Sequence, residues 1–245
     1  MKSTVIYFSA TGGTERVAKL IADRVGGEAL DVTVFDYDLT YGEDDFLFFC
    51  FPVYGGRIPA PMYKRMAGIR GKNTNAVMVA VYGNRAVDDA LIEMSDLARA
   101  NGFRTVGGAE LVAPHSVDSR IASDRPDSAD IAKLNDFLDK LMAKTTYSVV
   151  AMPGSHDYKK YDGLPFHPVS GKECSGCGTC AQECPTGAID PGDPMKPDAK
   201  KCITCMRCVS VCPFEVRHVP KAMLLAASAS LRVMCAGRKE PKFYI

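Results

Sequence analysis

The chain has 245 residues, 47% of them hydrophobic and 24% charged, with a formal net charge of +1. That length holds one large domain or two smaller ones with buried cores, and the near-neutral charge excludes a dedicated nucleic-acid binder. No run approaches the roughly 20 apolar residues of a membrane span, and the opening apolar run at residues 5–8 is too short for a secretory signal, so a cytoplasmic protein without membrane insertion is expected.

Strands and helices alternate through residues 1–145. Residues 5–8 are a short β-type run, and residues 14–25 follow with Val17, Leu20, Ile21 and Val25 at helical spacing and Thr14 as a candidate N-cap. Residues 30–35 are a second strand candidate. Residues 46–51, Phe-Leu-Phe-Phe-Cys-Phe, read as a strand buried on both faces, and residues 76–82 as another. A helix is expected over residues 86–100, opened by the negative charge of Asp88 and Asp89. A fifth strand follows at 103–112 and an amphipathic helix at 129–142. Such alternation predicts an α/β domain, a doubly wound, parallel five-stranded sheet in the order 2-1-3-4-5, whose ligands bind outside the carboxyl ends of the strands. Residues 146–170, rich in Pro, Gly and Tyr, read as a connector that packs on a surface. Residues 171–220 form a second, small α+β unit, and residues 221–245 a helix with a basic tail. Residues 221–245 carry five basic residues against Glu240 alone, and the tail at 238–245 is read as a solvated terminus.

Eight of the ten cysteines fall in the small unit, too densely for reduced intracellular thiols without a ligand role. The first set is Cys174-x2-Cys177-x2-Cys180-x3-Cys184-Pro185, and the second is Cys202-x2-Cys205-x2-Cys208-x3-Cys212-Pro213. Three close thiolates followed by a fourth and a proline, stated twice, are the ligand grammar of two [4Fe–4S] clusters, in which the fourth cysteine of each set serves the other cluster. Zinc sites instead use two close pairs set far apart. The expected ligand sets are therefore Cys174, Cys177, Cys180 with Cys212, and Cys202, Cys205, Cys208 with Cys184. Gly176 and Gly178 allow the tight turns this wrapping needs. Cys50 and Cys235 read as packed thiols, and His115, His156, His167 and His218, which lack metal spacing, as surface or packing residues.

Three loops would meet at one edge of the parallel sheet. Ser9-Ala10-Thr11-Gly12-Gly13-Thr14 offers hydroxyls and backbone N–H groups at a helix N-terminus, as a phosphate requires. Pro52-Val53-Tyr54-Gly55-Gly56-Arg57 and Tyr82-Gly83-Asn84-Arg85 offer aromatic faces and backbone groups for a flat ring. With these loops, the Leu164-Pro165-Phe166-His167-Pro168 segment and both cysteine sets, the chain resembles the flavodoxins, and specifically the flavodoxin–ferredoxin fusion proteins of anaerobic bacteria, over nearly its whole length. The resemblance implies FMN as the ligand. Its phosphate would lie on Ser9, Thr11, Gly12, Gly13 and Thr14, and Tyr54 and Tyr82 would flank the isoalloxazine. Gly55 or Gly56 would face the flavin N5, and Asn84 and Arg85 would lie by the polar edge of the ring. The chain has no Trp, so a Trp–flavin stack is excluded.

Flavin exchanges electrons in pairs or singly, and clusters singly, so their union in one chain implies an electron-transfer flavo-iron–sulfur protein working with redox partner proteins. Balanced charge over residues 171–220, six basic against six acidic, does not favour a strongly basic partner. The alternatives are an FMN-dependent reductase of a small acceptor such as a quinone, with residues 113–128 covering the site, and a redox sensor. No catalytic triad or paired carboxylate is evident.

Overall fold

The structure is a computed structural model that describes residues 2–245. The first unit is built on β1 (Ser3–Tyr7), α1 (Gly13–Val25), β2 (Glu28–Asp31), β3 (Leu39–Tyr41), β4 (Phe46–Pro52), α2 (Pro61–Ala67), β5 (Ile69–Gly71), β6 (Thr74–Tyr82), α3 (Ala90–Ala100), β7 (Phe103–Val112) and α4 (Ser128–Met142). Five parallel strands run in the spatial order β2-β1-β4-β6-β7, the flavodoxin-like arrangement. Period-two alternation in the central strands divides the core. Phe46, Phe48 and Cys50 face α1 and α4 with Val17, Ile21, Phe137 and Leu138, while Leu47, Phe49 and Phe51 face α2 and α3 with Met62, Met66, Leu91 and Met94. A residue buried on each face in turn leaves no polar position, and this is why residues 46–51 read as a continuous apolar run.

The chain then runs through a connector to the small unit, β8 (Val169–Ser170), α5 (Thr179–Gln182), α6 (Arg207–Ser210) and β9 (Arg217–His218), with β8 and β9 antiparallel. It ends in α7 (Lys221–Met234) and β10 (Lys242–Tyr244). Among the described residues no helix is long and apolar enough to cross a membrane.

Several expectations need correction. The sheet has six strands, because β10 returns and pairs antiparallel with β7. The basic tail is accordingly not a solvated terminus. Phe243 stacks on Phe137 with ring centroids 4.8 Å apart, and Tyr244 donates to Glu110 at 2.7 Å. Arg238 pairs with Asp130 at 3.0 Å and also with Asp127, the N-cap of α4. The second strand lies at Glu28–Asp31 rather than 30–35, and the third helix starts at Ala90 rather than 86. Asp88 adopts a left-handed conformation and pairs with Arg85 and Lys159 instead of opening that helix. Gly12, not Thr14, caps α1: its φ of 87° is a turn conformation that glycine reaches without strain.

Candidate functional site

The first loop hands β1 directly to α1. Ser9 Oγ accepts from Glu15 N at 3.0 Å, while the backbone N–H groups of residues 11–14 meet no protein acceptor among the described residues. Ser9, Thr11, Gly13 and Thr14 line a small polar cavity there, closed on the other side by Pro52, Val53, Tyr82 and Gly83. Orphaned donors at a helix N-terminus fit an anion such as the FMN phosphate. Gly12 turns the loop and stands outside this lining.

The polar cavity shares Tyr54, Tyr82, Gly83 and His115 with a larger one of about 360 Å³, within the size range of small-molecule sites. Tyr54, Gly55, Gly56, Tyr82, Gly83 and Arg85 form one wall. The two glycines of the middle loop have φ values of +61° and +93°, and a Cβ on Gly55 would lie 2.1 Å from the ring of Tyr161. Burial pushes the phenol of Tyr82 up to about 12 and that of Tyr54 well above its ordinary value, so both rings are neutral and suited to stacking on a flat ligand. Arg85 is held by Asp88, whose carboxyl is lowered because Lys159 and Arg85 outweigh the opposing effect of burial.

Asn84 departs from expectation. It is buried away from this lining, where its Nδ2 donates to Cys235 O at 2.6 Å and Gly237 O at 2.8 Å and so ties the loop after β6 to the end of α7. Only Arg85 of the pair reaches the cavity.

The middle loop is positioned from α3. Glu93, 1% exposed, accepts from Arg57 at 2.6 and 2.7 Å, from Ile58 N at 3.0 Å and from Tyr63 at 2.8 Å. Removing one partner of a buried ion pair leaves the other uncompensated. Glu93→Ala should cost about 3–5 kcal/mol of stability, read by urea denaturation, and should weaken flavin binding by loosening residues 52–59.

Of the other walls, only the loop of residues 113–128 was considered as a cover, under the reductase alternative. His115, Ser116 and Val117 come from the loop after β7, and Tyr161, Leu164 and Phe166 from the connector. His115 is a correction: it lines both cavities, and its Cδ2 lies 2.4 Å from where a Cβ on Gly83 would stand. Burial lowers its pKa below the usual value, and its Nδ1 accepts from Val117 N at 3.2 Å, which requires the neutral ring. One face of α7 closes the cavity with Met223, Ala227, Ser230, Leu231 and Met234. The aromatic residues of the connector and the unbroken apolar and small residues of α7 were the available signals, but neither named its target.

The small unit brings the cysteines together in two sets. Cys174, Cys177, Cys180 and Cys212 surround one cavity with Arg217 and Phe214. Cys184, Cys202 and Cys208 are electrostatic neighbours of Cys205, whose thiol burial pushes up to about 12. Among the described residues no three metal-ligating side chains converge on a single ion. Four thiols spread around a volume suit a cube. Hydrogen bonds to sulfur are in place: Thr179 Oγ1 lies 3.5 Å from Cys177 Sγ, and Ala188 N donates to Cys184 Sγ at 3.2 Å.

The repeat extends to the backbone. Gly176, Gly178 and Gly187 have φ values of 70°, 79° and 60°, and the matching Thr204, Met206 and Glu215 have 52°, 65° and 54°. Side chains in that region are strained by about 1–2 kcal/mol each. Thr204 and Met206 hold it through contacts glycine could not make. Thr204 Oγ1 donates to Phe166 O at 3.1 Å, and Met206 packs with Phe166 and Val219.

These contacts tie the second repeat to the connector, and further contacts place it against the first unit. Ile203 and Thr204, which lie between Cys202 and Cys205, form part of the wall of the large cavity, and Cys205 packs into the same core cluster as Tyr54. Arg207 Nη1 reaches Ser9 O at 3.4 Å, and Arg65 Nη2 reaches Pro185 O at 3.4 Å. Cys184, Cys202, Cys205 and Cys208 are thus the inner set. The other four are the outer set, with Cys177 exposed.

An α/β unit with an anion loop leading to an aromatic cavity, joined to a unit with two four-thiol sets, defines an electron-transfer protein of the flavo-iron–sulfur class. Residues 5–120 match the flavodoxin family, and residues 173–217 match the 4Fe-4S dicluster domain. The ferredoxin-like protein in nif region of Sinorhizobium fredii (strain NBRC 101917 / NGR234) is 40% identical over 55 residues, spanning 20% of this chain and 86% of that protein. Among solved structures, the flavodoxin of Streptococcus pneumoniae TIGR4 is 20% identical over 59% of this chain and 100% of its own, with a TM-score of 0.42. Flavodoxin 2 from Bacillus cereus is 18% identical over 58% and 98%, with a TM-score of 0.43. The chain joins a flavodoxin domain to a ferredoxin-like 4Fe-4S dicluster domain, with FMN and two [4Fe–4S] clusters as its cofactors.

Proposed function

We propose that the protein relays electrons between FMN and redox partner proteins through the inner and then the outer cluster. FMN supplies two-electron to one-electron conversion and the clusters one-electron steps. The observation that carries this reading is the shared wall: Ile203 and Thr204 belong at once to the large cavity and to the inner cysteine loop. On this reading residues 9 and 11–14 hold the phosphate, and Tyr54, Tyr82, Gly55, Gly56 and Arg85 frame the ring. The inner and outer thiol sets hold one cluster each. Helix α7 and Phe166 exclude water from the ring, and Cys177 with the exposed Phe214 marks the face where a partner would exchange electrons.

The test is anaerobic. The protein is loaded with iron, sulfide and FMN, its iron and flavin are counted, and reduction is followed by visible and EPR spectroscopy. About eight irons and one FMN that exchange electrons within one molecule are expected. Clusters that never equilibrate with the flavin would overturn the relay. Rapid turnover of a small quinone by the flavin in protein lacking clusters would favour the reductase reading instead.

A further inference from the structure

The two cysteine sets obey one repeat, but five residues after the fourth cysteine of each set it changes from an apolar to a charged residue. Ile189 lies five residues after Cys184, and Arg217 lies five residues after Cys212. Ile189 packs with Cys180 and Cys208 in one apolar cluster. Arg217 brings a guanidinium to the same neighbourhood and is 2% exposed.

A buried cation is normally paired with a carboxylate. Arg217 makes no ion pair among the described residues. Its Nη1 donates to Pro194 O at 2.5 Å, Ser170 Oγ at 2.9 Å and Cys180 Sγ at 3.6 Å, and its Nη2 to Pro168 O at 3.3 Å. Nε is buried with no acceptor. Neutral oxygens orient the fork but leave its charge unbalanced. Arg217 lines the outer thiol cavity and donates to Cys180 Sγ, and Cys180 packs in one cluster with Cys208 of the inner set. The guanidinium therefore lies at an outer ligand that adjoins an inner one, and both sets are anionic once deprotonated and loaded.

We propose that Arg217 is the shared counter-charge of the two cluster sites and raises the reduction potential of both. A fixed cation in a poorly solvated site stabilises the reduced, more negative form of each cluster more than the oxidised form, and net charge and hydrogen bonds to sulfur are the protein's levers on such potentials. The effect is larger at the outer site, whose Cys180 receives the hydrogen bond. The proposal rests on both thiol sets holding clusters.

The test compares Arg217→Met, which keeps length and removes charge, with Arg217→Lys, which keeps charge, in the full chain loaded anaerobically, by EPR-monitored redox titration. In Arg217→Met both midpoints should move to more negative potential, the outer one further, with iron and FMN content unchanged. Arg217→Lys should stay near the native values. Native midpoints in a fully loaded Met variant overturn the proposal, and so do equal shifts in both variants, because packing would then be the cause. If the Met variant takes up no iron, the Lys variant decides. Native iron and midpoints there support a counter-charge, and failure to load shows a structural role and overturns it. Absence of clusters from the native protein would refute instead the cluster reading beneath the proposal.

Discussion

Cys205→Ala is expected to leave FMN bound, reduce iron to about four per chain, and stop electron exchange between the flavin and the outer cluster. Cys205 belongs to the inner set and packs in the cluster that contains Tyr54, so its loss interrupts the path beside the flavin cavity. Cys177→Ala should behave differently. Cys177 is exposed and belongs to the outer set, so exchange between flavin and inner cluster persists while delivery to an external acceptor falls to background. Stopped-flow reduction of each variant, with freeze-quench EPR to assign the cluster reduced, separates the two. Equal behaviour of the pair would mean that the inner set is not the flavin's neighbour in the path.

Ala227→Trp should weaken FMN binding roughly 10–100-fold, matching an overpacking cost of about 1–3 kcal/mol. Ala227 is part of the α7 face that closes the large cavity, and an indole there would occupy the space of a flat ring. Because the native chain has no Trp, the variant also carries a unique fluorophore. Titration of the deflavinated protein with FMN gives the affinity, and urea denaturation checks that the fold is kept. Unchanged affinity would mean that the ring does not reach α7.

Most of the fold was legible because its signals are local. The run Phe46-Leu47-Phe48-Phe49-Cys50-Phe51 announces a strand buried on both faces, and the helical spacing of Leu134, Leu138 and Leu141 announces α4. The edges were less legible. Residues 30–35 are apolar enough for a strand, yet pairing with β1 selects Glu28–Asp31. Lys242–Tyr244 is too short and too charged to show as a strand before Glu110 and Phe137 provide an edge and a stacking face.

The site divides along the same line. The cluster chemistry was readable from residue order alone, because the ligands of an iron–sulfur cube are held by spacings of two and three residues along a turn, and such spacings are set by covalent reach. So was the anion loop, since a strand–glycine–helix transition creates its own orphaned N–H donors. The arrangement in space settles what no local pattern could: which thiol set adjoins the large cavity, that His115, Tyr161 and α7 enclose that cavity, that Asn84 is tied to the end of α7, and that Arg217, buried without an ion pair among the described residues, lies beside the thiols. Each of these depends on residues brought together from distant parts of the chain. Their side chains are chosen by the volume and charge of neighbours that no local pattern names.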